Sequence, residues 1–540
     1  MQGIKETEEK LANLFKARFP IIYVESWEEN RVIDTIQRIA ENVEVIKTLR
    51  SVYMWSSTSG LINLNSMTTV DNSFNAIDAI ENFNGIEENA ILILKDIHNY
   101  LSTRTISLSE NRDIKRVLRD TANSIRGSEF VKNIVLIAPV LELPVELQKD
   151  VTVFDFALPN VLEIKELLDS MIEANLGKNC KLTEEEKSIF AKTAQGLTLQ
   201  EAENAFARAM VERKQLTLDE LDIIMDETCQ VIKKTGILEF IKSDLKIDDV
   251  GGLENLKHWL IKRNNSWLDR AHDEYNLPAP KGVLITGVPG CGKSLTAKAM
   301  SSLWKLPLLR LDAGKIFDKW VGGSEENIRK AIKTAEAVAP SILWIDEIEK
   351  GFDQNEGSIG KRIFGTFLTW MQEKTKPVFV VATANNISLL PSEMLRKGRF
   401  DEIFFVDLPT SIEREIIFKL HLDKMLKDSI SEDFKITDKL IKKLVDMTEG
   451  FVGAEIEQVI ISAVFDAYSE DRILQEDDLY RAVKNTVPLS VTQQEQIASI
   501  REWANVRAVA ATSHEDNEIN TNKKGDTKVV KLRGGRNVDF

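Results

Sequence analysis

Four residues at fixed spacing could do phosphate chemistry. Gly287, Gly292, Lys293 and Ser294 satisfy the pattern G-x-x-x-x-G-K-[ST], filled here as GVPGCGKS. Glycine lets successive backbone N–H groups turn inward and surround phosphate oxygens. A helix starting at Lys293 adds the positive end of its dipole. Lys293 offers a mobile point charge to the β- and γ-phosphates, and Ser294 a hydroxyl to Mg²⁺. Val288, Pro289, Gly290 and Cys291 complete the loop, with Leu295 on the first helical turn. Two readings stand for Cys291: a redox-sensitive thiol, or a small residue filling a variable slot.

A second set of groups follows the loop. ILWI, residues 342–345, reads as a buried strand running into Asp346 and Glu347. Asp346 would order Mg²⁺ through its waters, and an ionised Glu347 would polarise the attacking water as general base. The next apolar run, 378–382, leads to Thr383-Ala384-Asn385. An amide there can hydrogen-bond the water and the γ-phosphate, with Asn386 as the close competitor. Arg396 and Arg399 flank Gly398 in a loop. Two guanidiniums of this kind act as arginine fingers, worth roughly 10³–10⁵ in rate. From this loop they are expected to serve a neighbouring subunit; the competing reading is surface ion pairs to Glu393 or Asp401.

Positioning these groups takes a strand at 283–285 before the phosphate loop, a helix after it, and strands at 308–311, 342–345 and 378–382. Alternating strands and helices of this kind build a mainly parallel sheet covered by helices. The first half of the chain has the same order without the chemistry. FPIIYV (19–24) reads as a strand, and Ser26 with Glu29 as the capping box of a helix through residue 38. The junction is ESWEEN, with no glycine to cradle phosphate and three carboxylates to repel it. Strands are expected at 51–55, 90–94 and 133–137, and a helix at 76–83. Asp96, after the second of these strands, stands where a magnesium-organising carboxylate would be, or merely ends a strand.

The repeat extends further. Strand, LPVEL, strand, LP (133–159) recurs as strand, LPSEM, strand, LP (378–409), and AQGLTLQE (194–201) recurs as TEGFVGAE (448–455). The earlier copy is shorter where the later one carries Arg396 to Arg399. The chain therefore reads as two copies of one architecture. The expected domains are an α/β domain over 1–160, its helical lid over 161–235, a linker over 236–250, a second α/β core over 251–410, its lid over 411–500, and a flexible polar tail over 501–540.

From about residue 247 to 500 the sequence resembles AAA ATPases. GVPGCGKS, ILWIDE, Asn385, RKGRFD (396–401) and GFVGAE (450–455) carry the resemblance, in order. WKLPLLRLD, FGTFLTW and VVATANNISLLP resemble, more narrowly, a little-characterised branch known from algal plastid genomes and cyanobacteria. The resemblance implies an α/β fold of tandem AAA-like P-loop NTPase modules, each with a helical lid and the first degenerate. It implies ATP and Mg²⁺ as cofactors and a homo-oligomeric ring, a hexamer favoured, acting on an unknown protein client. Residues Asp249 and Gly251 would lie against adenine, with Ala454 contributing from the lid. Lys319, Trp320, Val321 and Gly322 match an aromatic-apolar-glycine pore loop; the other reading places Trp320 at a subunit contact. One departure stands out: Gln372-Glu373 follows Met371 where AAA motors commonly carry Asp-Gly.

Composition bounds the remaining functions. The 540 residues carry 85 acidic against 70 basic side chains, a net charge of -15. Such a chain is a poor general nucleic-acid binder. A basic stretch near the end (Lys523, Lys524, Lys528, Lys531, Arg533, Arg536) reads as a solvated tail or a contact for nucleic acid or an acidic partner. Three scattered cysteines give no disulfide framework. No apolar run reaches the ~18 residues of a membrane span. A cytoplasmic site, or a plastid stroma, is expected. Beside a remodelling ATPase stand two rivals, an ATP-gated switch or scaffold and a nucleic-acid-stimulated motor.

Overall fold

The computed structural model describes residues 2–70, 73–101, 109–175, 177, 182–213, 216–217, 220–234, 236–243, 245–264, 266, 274–312, 324–352, 357–396, 398–427, 429 and 431–513. Two compact units divide the chain, residues 1–228 and 229–540.

In the first unit, apolar runs such as IIYV, AILIL and NIVLIA have no polar alternation, so their strands must be covered on both faces. They form strands β1 (Ile21–Glu25), β2 (Ser51–Ser56), β3 (Gly60–Asn63), β4 (Thr68–Thr69), β5 (Ala90–Lys95), β6 (Lys132–Ala138) and β7 (Val151–Asp155). Their order is β4-β3-β2-β5-β6-β1-β7. The five from β2 to β7 are parallel, and β3 and β4 add an antiparallel edge. Successive residues of β1 feed opposite cores: Ile21 and Tyr23 one cluster, Ile22 and Val24 the other.

The second unit repeats this plan. Strands β8 (Leu238–Ile241), β9 (Gly282–Gly287), β10 (Leu308–Leu311), β11 (Ser341–Ile345), β12 (Val378–Ala384), β13 (Glu402–Val406) and β14 (Val509–Ala510) lie in the order β14-β13-β9-β12-β11-β10-β8. Only β8 pairs antiparallel. Trp259, Trp304, Phe379 and Phe404 fill one face, with Trp259 edge-on to Phe404 at 5.7 Å and Trp304 edge-on to Phe379 at 4.8 Å.

The two sheets match residue for residue. Trp55, Leu94, Leu136, Tyr23 and Val153 stand side by side across the first. Leu311, Ile345, Ala382, Leu284 and Ile403 do so across the second. Four matching helices come after β7 and again after β13: Val161–Asn175, Glu184–Thr193, Leu199–Arg213 and Leu221–Lys234, then Ser411–Leu426, Asp438–Met447, Gly453–Ser469 and Glu476–Asn485. Their first helices start alike. Asn160 and Glu163 exchange side-chain-to-backbone bonds, and Thr410 and Glu413 form the equivalent capping box.

Three expectations shift. Ser26 caps no helix; its hydroxyl accepts from the Glu28 N–H at 3.0 Å, and the helix Glu29–Glu41 starts later. Residues 236–250 are more than a linker, because LEFI alternates buried and accessible side chains and completes the second sheet as β8. The tail begins later than residue 501. The helix Gln494–Arg507 buries Ile497, Ile500 and Ala504, and Arg501 grips Asp407 through both carboxylate oxygens at 2.8–3.0 Å. Strand β14 then pairs with β13, and the Asn255 side chain donates to the carbonyls of Ala510 and Thr512, both at 3.1 Å. That segment looked polar because its apolar face is narrow. Among the described residues no helix is long and apolar enough to cross a membrane.

Candidate functional site

Parallel strands place every chain end that follows a strand on one edge of the sheet. In the second unit that edge gathers the phosphate loop after β9, Asp346 and Glu347 after β11, and Asn385 after β12. The loop depends on its glycines. A Cβ on Gly287, at φ +144°, would lie 1.9 Å from the Val406 carbonyl oxygen, and Gly292 enters the helix Lys293–Trp304 at φ +86°. The Val288 N–H donates to that same Val406 oxygen at 3.0 Å. Lys293 is buried and donates to the carbonyls of Gly287 and Val288 at 2.9 and 2.8 Å. Burial pushes its ammonium down to about 8.

The carboxylates form one connected set. Asp346 Oδ1 accepts from Ser294 Oγ at 3.2 Å and from Thr383 Oγ1 at 2.6 Å. The Glu347 N–H donates to the same Thr383 oxygen at 3.0 Å. Glu347 itself sits at φ +50°, a left-handed conformation that a glutamate rarely adopts. Its Oε1 accepts from Asn385 Nδ2 at 2.9 Å, and its Oε2 is paired with Lys350. Glu349, buried, accepts from the backbone N–H of Asn385 at 2.8 Å and of Asn386 at 3.3 Å. Of the two competing amides, Asn385 reaches Glu347, whereas the Asn386 side chain accepts from Ser388.

A hydroxyl and a carboxylate turned to one space are a hard-oxygen donor set. Mg²⁺ binds protein through few such ligands and keeps its waters and the substrate phosphates. Ser294 and Asp346 fit that ion.

The lid closes over the loop. The Ala454 N–H donates to the Gly290 carbonyl at 3.1 Å. A Cβ on Gly290 would stand 2.9 Å from the Val452 side chain and 3.3 Å from the Ala454 methyl. The segment before the core arrives at the same place. A Cβ on Gly251 would meet Ile417 at 2.6 Å, while Asp249 caps its own turn by accepting from the Lys246 N–H at 2.7 Å. Cys291 packs beside Val288, Val452 and Ile497, and burial pushes its thiol up to about 12. It stays protonated, which favours the packing reading. Leu295 faces outward, 42% exposed.

The arginine loop lies elsewhere. It enters β13 at Glu402, which pairs with Val283, whereas Val406 at the other end pairs with Gly287. Four residue steps at 3.3 Å separate the two edges by about 13 Å. Arg396 is exposed, and the Arg399 guanidinium donates to the Glu393 carbonyl rather than to a carboxylate. The loop is anchored to the start of β9. Asp401 accepts from the N–H groups of Lys281 and Gly282 at 2.7 and 3.0 Å, and Lys281 Nζ donates to the Gly398 carbonyl at 2.9 Å. Lys319, Trp320, Val321 and Gly322 lie outside the described residues, as does the basic stretch from Lys523 to Arg536.

The first unit keeps the framework and changes the groups. Three residues, 26–28, join β1 to its helix where five, 288–292, join β9 to its own. The register puts Lys95 at the place of Asp346, Asp96 at that of Glu347, and Pro139 at that of Asn385. Asp96 thus takes the base position, not the metal position, and even shares the left-handed kink at φ +55°. Lys95 pairs with Glu29 at 2.5 Å. Glu28, nearly buried, accepts from the Leu199 N–H of the lid at 2.7 Å and pairs with Arg31 at 2.5 Å. Arg31 also bonds Glu163 at 3.2 Å and lies over the Phe156 ring.

Thr383, Glu349, Lys350 and Ile417 escaped sequence reasoning. A signal existed for Glu349, a third carboxylate two positions after Glu347. Thr383 stands two residues before Asn385 with nothing local to distinguish it from an ordinary strand threonine.

Comparison with known proteins finds family matches along most of the chain. Residues 7–156 match the family described as SpoVK-like AAA ATPase, N-terminal domain, and residues 162–235 its second domain. Residues 283–408 match the ATPase family associated with various cellular activities (AAA). An uncharacterized AAA domain-containing protein ycf46 of Guillardia theta is 41% identical over 93% of this chain and 95% of its own length. That of Pyropia yezoensis is 40% identical over 91% and 96%. The ATP-dependent zinc metalloprotease FtsH of Clostridium perfringens is 30% identical over 45% of this chain and 35% of its own.

Proposed function

We propose, since the chain belongs to the AAA ATPase family and groups there with the uncharacterized ycf46 proteins, that its second unit binds and hydrolyses ATP with Mg²⁺ while its first unit holds no nucleotide. The observation that carries this reading is the unbroken chain of hydrogen bonds from Ser294 through Asp346, Thr383 and Glu347 to Asn385, beside a buried Lys293. Lys293 and the loop N–H groups of residues 287–294 would hold the triphosphate. Ser294 and Asp346 would hold the metal, which neutralises the phosphate oxygens when bound. Glu347 would take the proton of the attacking water, and Asn385 would fix that water and sense the γ-phosphate. Adenine would lie where residues 249–251, Ile417 and Ala454 converge.

Arg396 and Arg399, on the opposite edge of their own sheet, serve a neighbouring copy. The working form is therefore a closed ring, a hexamer favoured, which remodels a protein client gripped by Trp320. The setting is the cytoplasm, or the stroma where the chain is plastid-encoded. Replacing Glu347 with Gln tests the reading on the full chain. The variant should bind ATP, stay oligomeric and release no phosphate; normal turnover would refute the assignment of the base.

One observation favours a second reading, an ATP-gated switch. Lys350 pairs with Glu347 and so occupies one oxygen of the proposed base, as a slow timer would. Trp320→Ala separates the two. A threading motor loses client-stimulated hydrolysis, whereas a switch keeps its partner and its nucleotide response.

A further inference from the structure

Thr383 is a buried hydroxyl, 1% exposed, at the end of β12. A hydroxyl has one proton to give and lone pairs to accept with. This one gives its proton to Asp346 Oδ1 at 2.6 Å and accepts the Glu347 N–H at 3.0 Å. One oxygen thus hydrogen-bonds both residues of the acidic pair.

The left-handed kink at Glu347 shows why this matters. The kink turns its N–H toward the end of the neighbouring strand, and a buried N–H must find an acceptor. In the first unit the matching residue, Asp96, has the same kink, and its N–H finds the Ile137 carbonyl at 3.0 Å. Ile137 occupies the register position of Thr383. So the apolar residue suffices to keep the kink. The hydroxyl adds something the kink does not need: a proton aimed at the carboxylate on its other side. With Ser294 it puts two hydroxyl donors on one oxygen of Asp346 and fixes that carboxylate's rotation.

We infer that Thr383 is a positioning residue for hydrolysis. Its hydroxyl locks Asp346 and Glu347 into one geometry, so that metal and attacking water are held in register with each other. The inference rests on the reading of the second unit as an ATPase. Partners standing behind a metal ligand are typically worth about 10–100-fold in metal affinity or activity.

Full-length Thr383→Val and Thr383→Ser chains test it. Valine keeps the shape and removes the hydroxyl; serine restores it. Valine should lower kcat about 10–100-fold with KM for ATP within about twofold, and serine should return kcat to within about threefold of the parent. A second readout is Mn²⁺ bound in the presence of a non-hydrolysable ATP analogue, followed by electron paramagnetic resonance. It should weaken about tenfold in the valine chain and recover in the serine chain. A valine chain with parental kcat and Mn²⁺ affinity, or a serine chain as impaired as the valine one, overturns the inference. If valine prevents folding, Thr383→Ala against Thr383→Ser gives the same two comparisons. A parent that binds the analogue and Mn²⁺ but hydrolyses nothing would sink the ATPase reading instead, and the Mn²⁺ arm would still decide the role of Thr383.

Discussion

Two places recur in both units of this chain: the first residue of the helix after β1 or β9, and the residue that follows the apolar run of β5 or β11. In the second unit they hold Lys293 and Asp346; in the first they hold Glu29 and Lys95. The charges have changed sides. Glu29 and Lys95 satisfy each other at 2.5 Å. Among the described residues, Lys293 donates to its own loop's carbonyls, and Asp346 accepts from two hydroxyls and stands 3.9 Å from Arg310. A pair that closes on itself has nothing to offer an anion or a cation. A pair held apart offers both. One scaffold, down to the left-handed kink, thus carries a sealed pair and an open one, which differ in the polarity of two side chains and in the length of the strand-to-helix junction.

The contrast is broken or sharpened most strongly at the arginine loop, which the first unit lacks. Arg396→Ala with Arg399→Ala should lower hydrolysis by about 10³-fold or more while ATP still binds. Mixing this chain with Lys293→Ala chains, measured by phosphate release, should restore part of the activity. No restoration would put the arginines at a site in their own chain.

Next in size is Lys293→Ala. Losing one partner of a buried charge contact costs about 2–5 kcal/mol of affinity. Equilibrium dialysis should find one nucleotide per parent chain and none per variant at the same concentration. A nucleotide that persists would lie in the first unit and end the comparison.

Arg31→Ala attacks the sealed side. It strands Glu28 and Glu163 with neither exposed above 13%, and should destabilise the first unit by about 3 kcal/mol. Calorimetry should show one transition moving while ATP affinity of the second unit holds.

A smaller effect comes with pH. Burial pushes free Lys293 down to about 8, and a bound polyphosphate favours its charged form, raising that value. Affinity should be full below pH 8 and fall as pH rises through it, by at most about tenfold per unit. Lys293→Arg should flatten the profile. Smallest of all is Lys95→Asp. It restores a metal-type carboxylate to the first unit and breaks a half-exposed pair, costing about 1 kcal/mol or less. It should confer no nucleotide binding, because the three-residue junction at 26–28 still has no cradle.

How much of this was legible depends on whether a group works through its own chain neighbours. The phosphate loop was readable because glycine, lysine and hydroxyl must follow one another along the backbone. The doubled architecture was readable because apolar runs and turn residues recur in order. Asp96 was placed one step off, since the metal and base positions differ by one residue and only the sheet register tells Lys95 from Asp96. Thr383 and Ile417 were invisible because their meaning comes from β11 and from Gly251, far off in sequence. Strand β8 and the segment 494–510 hid in polar surroundings, each too short or too narrow to announce a buried face.

Strand β9 ends in the glycine that starts the phosphate loop and begins beside the clamp made by Asp401 and Lys281 on the arginine loop. Six residues of one strand thus join the backbone of the phosphate loop to the anchor of the arginine loop. Under the function proposed above, that strand would be a direct covalent path from an occupied phosphate loop to the guanidiniums offered to the next copy.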